Sequence, residues 1–225
     1  MKITKIQQQV KRSDRYSIYI DEAYSFSLSD YQLVSSGLHV GQEFTAEELD
    51  IFLQESNFGK AYERALNYVM IRPRSEKEIN EYLTRTFLYP KPKMYKSKTG
   101  ETVVKKQEVD KEKVTHMIER IIGRLHEKGY VDDERFAAAW VNSRQLTKKS
   151  SKRKLEQELT VKGVSSEIIT ELLQNRDVIE KDNLKELIAK KSRQTKYQDQ
   201  AKLMQYLVRQ GFSYSDVKTA LEQEY

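Results

Sequence analysis

Lysines and arginines recur at equivalent places along this 225-residue chain: Arg72 and Arg74; then Arg144, Lys148, Lys149, Lys152 and Arg153, with Lys154 beside them; then Lys190, Lys191, Arg193 and Lys196. Residues 144–154 hold six positive charges and no negative one. Cations gathered without carboxylates can neutralise phosphates, and a protein that does so at several points binds with steep salt dependence. They can equally face the acidic side chains of a protein partner, or only water, and the run by itself leaves all three readings open. Residues for other chemistry are missing. The chain has no cysteine, which excludes disulfides and thiolate metal sites. His39, His116 and His126 stand apart, and the last two are spaced ten residues along one expected helix, too far to share an ion. No GxxxxGK[ST], GxGxxG or GxSxG motif occurs. Asp132-Asp133-Glu134 reads as a helix start with carboxylates at the positive end of the dipole. With no nucleophile beside a base, the expectation is a protein that is not an enzyme and needs neither metal nor cofactor.

The elements that place these cations repeat. From Ser151 to Leu173 one helix carries Leu155 and Leu159, Gly163 ends it, and a second helix carries Ile169 and Leu173. The C-terminus repeats this as Leu203 and Leu207, Gly211, then Val217 and Leu221. A first copy starts with Ile79 and Leu83 and resumes at Val114 and Ile118, with Phe87 where the glycine belongs and residues 88–108 as an insertion. A further helix precedes each pair, with Ala65, Val141 and Ala189 in equivalent places ahead of Ser75, Ser151 and Asp199. The spacing therefore predicts a mainly α protein of three tandem three-helix repeats. Repeats this short cannot bury their apolar faces alone and must stack, giving an elongated, curved array. The cations lie between the first and second helix of each repeat, so stacking should line them up as a stripe.

The expected divisions are residues 1–57 as a strand-rich extension with a capping helix, 58–129 as repeat one, 130–174 as repeat two and 175–225 as repeat three. Residues 1–57 hold five basic and nine acidic residues, so the net charge of +6 conceals a basic repeat region. Alternation in residues 15–20 and 24–28 predicts a hairpin, with residues 3–9 as a third strand. So small a sheet needs a covering neighbour, and the first helices are the available one. Thr45 to Glu48 and Ser75 to Glu78 are capping boxes, and Phe58-Gly59 should break the helix between them. The insertion reads as a hairpin turning at Thr99-Gly100 or as disorder. Phe136, Trp140 and Val141 are expected core, the tryptophan packed between repeats. No apolar run approaches a membrane span, and MKITKIQQQV lacks the core of a signal peptide, so the default compartment is the cytoplasm.

Two segments narrow the readings. Arg72-Pro73-Arg74-Ser75-Glu76-Lys77-Glu78 and Lys128-Gly129-Tyr130-Val131-Asp132-Asp133-Glu134-Arg135-Phe136-Ala137, followed by Lys162-Gly163-Val164 and Arg209-Gln210-Gly211-Phe212, resemble the RecX family of bacterial regulatory proteins over about residues 58 to 223. The resemblance implies three three-helix repeats and a non-catalytic modulator of the RecA recombinase. Such a protein would bind the RecA filament on single-stranded DNA and inhibit ATP hydrolysis and strand exchange, and with them recombination and the SOS response. The basic stripe adds single- or double-stranded DNA as an expected second partner, the lack of an apolar span argues against a membrane, and the expected state is a monomer. The alternative is a basic helical-repeat protein that binds single- or double-stranded DNA and acts by competing for it. The insertion and the acidic N-terminus depart from the family's common core.

Overall fold

The computed structural model describes residues 1–96, 102–105, 108–174 and 176–224. It has two compact units, Met1–Ile71 with Leu83–Leu125, and Arg72–Tyr82 with His126–Tyr225.

In the first unit β1 (Ile3–Gln8), β2 (Arg15–Ile20) and β3 (Ala23–Ser29) form an antiparallel sheet in sequence order. The β2–β3 turn puts Asp21 and Glu22 at φ +47° and +68°, so the tight hairpin is closed by two residues in left-handed conformations. Ile3, Ile18, Phe26 and Leu28 are buried, and Leu49, Phe52 and Leu53 of helix α2 (Ala46–Ile71) pack on them, which supplies the expected cover. Helix α1 (Asp30–Ser36) starts in a Ser29–Gln32 capping box and ends on Gly37. Thr45 and Glu48 make the predicted box at the head of α2, with the Thr45 N–H donating to the Glu48 carboxylate at 2.9 Å. The break expected at Phe58-Gly59 does not occur, and α2 runs through it for 26 residues. One interior glycine costs a helix only about 1 kcal/mol, and here the missing Cβ makes room for Gln32, whose amide donates to the Glu55 carbonyl at 2.9 Å.

Helix α3 (Glu76–Leu83) continues into a π-helical turn, Thr84–Leu88, in place of the glycine stop of the other repeats. The insertion forms a two-stranded antiparallel ribbon, β4 (Lys93–Lys96) with β5 (Thr102–Lys105). The turn expected at Thr99-Gly100 lies outside the described residues. Helix α4 (Lys111–Glu127) buries Ile118, Ile121, Ile122 and Leu125 and leaves Val114 half-buried.

The second unit holds α5 (Asp133–Thr147), α6 (Lys152–Val161), α7 (Ser166–Leu173), α8 (Asp177–Ser192), α9 (Gln200–Arg209) and α10 (Tyr214–Glu224). Leu155, Leu159, Ile169 and Leu173 close one core with Phe136, Ala137 and Val141, and Leu203, Leu207, Val217 and Leu221 close the next with Leu184, Leu187 and Ile188. Ala189, read as the equivalent of Val141, is instead exposed, because the apolar face of α8 is spaced 184, 187, 188 and places its neighbour outside.

Consecutive repeats of this unit are joined end to end. Ser75 caps α3 by accepting from the Glu78 N–H at 3.2 Å, and its hydroxyl donates at 2.7 Å to the carbonyl of Lys162, the last residue of the α6 helical path. Ser151 repeats this one module later, accepting from the Lys154 N–H at 3.2 Å and donating to the Gln210 carbonyl at 2.8 Å. Each serine thus satisfies an orphan donor of its own helix and an orphan acceptor of the following repeat. The carbonyl end of one macrodipole meets the N–H end of another, an arrangement the two dipoles favour.

Gly163 and Gly211 make the approach feasible. Both are left-handed, φ +84° and +95°, and the following N–H of Val164 or Phe212 reaches back to Leu159 or Leu207 to close the helix. A Cβ on Gly163 would stand 2.7 Å from that of Lys77, and one on Gly211 would run into the Ser151 hydroxyl. Replacing either glycine by alanine should therefore destabilise the fold by about 2 kcal/mol or more, combining left-handed strain with a lost junction. Gly123→Ala, an exposed interior position of α4 with open space at its Cβ, should instead stabilise by about 0.5–1 kcal/mol. Urea denaturation of the three variants checks the contrast.

Candidate functional site

All the predicted cations lie in the second unit, and the end-to-end junctions fix their spacing. The first joint, Arg72 to Ser75, abuts the C-terminal end of α6, and the second, Lys148 to Ser151, leads into its N-terminal end. The second joint also abuts the end of α9, whose beginning is the third joint. Helices of ten residues therefore separate successive joints by about 15 Å. Contacts to α8 link the second joint to the third: Glu180 accepts from the Lys152 N–H at 3.2 Å, and Lys149 pairs with Glu186 at 2.9 Å. Lys190 follows Glu186 by one helical turn. Behind this edge Gln145 donates to the buried Asn183 at 2.9 Å and accepts from Arg176 at 3.1 Å.

The structure divides these cations by what they touch. Arg72 grips Glu78 with two hydrogen bonds of 2.9 and 3.0 Å, Lys162 donates to the same carboxylate, and Arg74, itself mostly buried, is 4.0 Å away. Burial pushes the Glu78 pKa up, but the hydrogen bonds from Arg72 and Lys162 outweigh it and the net shift is downward. So this carboxylate serves the junction instead of completing the capping box read from the sequence. Arg144 donates to Glu158 at 2.6 Å and lies over the Trp140 ring at 4.2 Å; Trp140 donates to the same carboxylate at 2.8 Å. The tryptophan is a packing residue of repeat two's own core. Lys148, Arg153, Lys190, Arg193 and Lys196 are exposed and make no ion pair among the described residues.

The third joint differs in character. Lys191 stands 5.5 Å from the Tyr197 ring centre and 5.0 Å from that of Tyr206, Lys196 stands 5.7 Å from Tyr197, and the two rings are 5.0 Å apart and tilted by 48°. Burial, with Tyr197 adding to it, raises the Tyr206 phenol pKa. The acidic start of α5 behaves as read: Asp132 caps it at 2.9 Å from the Arg135 N–H. Asp133 accepts the Glu76 N–H at 2.9 Å, adding a second junction contact, and burial raises its pKa. Lys77 and Lys162 enter the sequence reading only as members of the RPRSEKE segment and of Lys162-Gly163-Val164, with no contact assigned to either; Lys77 donates to the Val161 carbonyl at 3.0 Å.

Models of the regulatory protein RecX N-terminal domain, of the RecX second three-helix domain and of the third match residues 1–45, 132–173 and 179–221. The chain belongs to the RecX family. It is 30% identical to the regulatory protein RecX of Oceanobacillus iheyensis, across 99% of this chain and 76% of that one, and 29% identical to that of Listeria monocytogenes, across 98% and 74%. A crystal structure of a regulatory protein RecX superposes with TM-score 0.69 at 25% identity, covering 98% of both chains. RecX from Lactobacillus salivarius shares the fold at TM-score 0.51, 20% identity, 74% of this chain and 95% of that one. Family membership accounts for the tandem three-helix construction. No described helix is long and apolar enough to cross a membrane.

Because Glu78 ties Arg72 and Lys162 together, Glu78→Gln should lower stability by about 2 kcal/mol at pH 7, leaving two cations with half their partners. The folded pKa lies below the ordinary 4.5, so the contribution is complete above pH 4.5 and is lost as pH falls through the folded value. The stability gap between parent and variant should shrink over that acid window, read by urea denaturation at stepped pH.

Proposed function

We propose that this chain is a non-enzymatic regulator of homologous recombination and the SOS response, acting in the cytoplasm as a monomer. It binds the RecA–single-stranded DNA filament and lowers RecA's ATP hydrolysis and strand exchange. The observation that supports this most is the series of cationic joints at a fixed helical interval, on a chain of the RecX family. A filament presents the same acidic and phosphate groups at regular intervals. A ligand with regularly spaced joints gains from each contact added, because every contact after the first is intramolecular. Binding across protomers biases a filament between its states with no bond made or broken.

A second reading has its own support. The exposed cations Lys190, Arg193 and Lys196 have no carboxylate partner among the described residues, which suits direct competition for DNA. The two readings separate in one titration: RecA ATP hydrolysis on single-stranded DNA with this protein well below one molecule per RecA, repeated with excess bare DNA. Filament regulation predicts that hydrolysis falls at the low ratio and stays low when DNA is added. Competition predicts loss only near saturation of the DNA, and recovery with the excess. Neutralising Lys148, Arg153, Arg193 and Lys196 to glutamine should weaken the effect at least tenfold; an unchanged titration would remove the stripe from the account.

A further inference from the structure

Repeats two and three are alike in their cores, so positions at which they differ on the outside point to separate tasks. Seven residues after Ser75, Ser151 and Asp199 stand Tyr82, Glu158 and Tyr206. In repeat two this position is a carboxylate that takes up both Arg144 and the Trp140 N–H. The cation of the preceding helix is neutralised there, and the indole is held in the core. In repeat three the carboxylate is replaced by the Tyr206 phenol, and the neighbouring cation is Lys191, which among the described residues is held over ring faces and by a 3.5 Å hydrogen bond to Gln194.

A second ring is added beside it. Tyr197 sits on a 3-10 turn, Thr195–Tyr197, that ends the joint just before α9, and the equivalent residue in repeat two is Lys149. Both tyrosines are half-buried: they lean on the repeat-three core, which holds them in place, and keep part of their surface in solvent. Around them Lys190, Lys191, Arg193 and Lys196 make no ion pair among the described residues. The nearest carboxylate along the chain, Asp199, is occupied: it caps α9 through the Ala201 and Lys202 N–H groups and pairs with Lys202 at 3.7 Å.

Two fixed aromatic rings framed by uncompensated cations meet the needs of one ligand class in particular. Phosphate binding alone requires no ring, and an acidic protein surface requires none either. An unpaired nucleobase does: it stacks on an aromatic face while its phosphates meet the lysines and arginines. Lysine ammonium groups 5 to 6 Å above the rings are within a side-chain rotation of releasing a face to a base and turning to the backbone.

We propose that the third joint, Lys190 to Tyr197 with Tyr206, is a single-strand nucleic-acid site in which Tyr197 stacks an unpaired base and Lys190, Lys191, Arg193 and Lys196 hold the flanking phosphates. The site deepens the proposed function at its contact with DNA and rests on that part of it alone. It is testable with no RecA present, so failure here and failure of filament regulation are separate results. Duplex DNA, whose bases are already stacked on one another, gains nothing from the rings.

The test is fluorescence anisotropy of the full chain with a labelled oligothymidine and with a duplex of equal length, across a salt series. The parent should prefer the single strand. Tyr197→Ala should weaken single-strand binding about five- to a hundredfold with the salt slope unchanged, the size expected for one lost stack. Lys196→Gln should lower the log–log salt slope by about 0.7. Tyr197→Trp should keep the affinity and show fluorescence quenched on binding, beyond the Trp140 background; matching circular dichroism melts exclude misfolding. Equal affinity for single strand and duplex, unchanged binding by Tyr197→Ala, or no DNA binding even at low salt would each overturn the proposal, the last assigning the joint to an acidic protein surface.

Discussion

The second unit depends on a serine hydroxyl used twice. At the head of α3 and again at the head of α6, it accepts from its own helix and donates to the last carbonyl of the corresponding helix one repeat later. Helix ends are where backbone groups lack partners, and bringing a donor end to an acceptor end satisfies both with one side chain. The cost is a tight approach, which requires a residue without a Cβ in a left-handed conformation at the point of contact. That is the place of Gly163 and Gly211. Lys77, reaching the Val161 carbonyl, and Asp133, reaching the Glu76 N–H, reinforce the first of these seams.

Once the repeats are locked in this way, the charges at the joints separate by role. A cation close to a seam meets a carboxylate that the seam itself positions, as Arg72 and Lys162 meet Glu78 and Arg144 meets Glu158. These pairs are partly buried, and their worth lies in not leaving a charge unpaired. The cations of the third joint pair with no carboxylate among the described residues and keep their charge available at the surface, gathered around Tyr197 and Tyr206. The cations thus fall into two sets: Arg72, Lys162 and Arg144 serve carboxylates within the stack, while Lys148, Arg153, Lys190, Arg193 and Lys196 keep their charge at the surface.

Much of this was legible in the sequence because repetition is itself a signal. Leucine pairs before a glycine and aliphatic pairs after it, twice over, define the repeat cores, and the structure buries all eight of those residues. The strands, the cap of α2 and the acidic start of α5 follow from local rules of alternation and capping. Three expectations failed where tertiary contact overrode a local rule, one of them the Ser75 box, whose Glu78 carboxylate turns to Arg72 and Lys162. Gly59 stays helical because Gln32 fills the space beside it, and Ala189 is outside because α8 turns a different face inward. The division of the cations was not legible. Whether Arg144 or Lys191 is neutralised depends on which residue stands two turns into the next helix, and only the fold pairs Glu158 with one and Tyr206 with the other. The serine-to-carbonyl seams were likewise hidden: Ser75 and Lys162 are 87 residues apart.

The most direct measurement is the dissociation constant of the protein for RecA–single-stranded DNA filaments and for the same DNA without RecA, taken at several salt concentrations. Regulation of a filament by a stack of regularly spaced joints predicts binding to the filament at least tenfold tighter than to bare DNA, with the margin persisting as salt rises. Equal affinities that fall together with salt would contradict it, leaving a nucleic-acid-binding protein in which RecA plays no part.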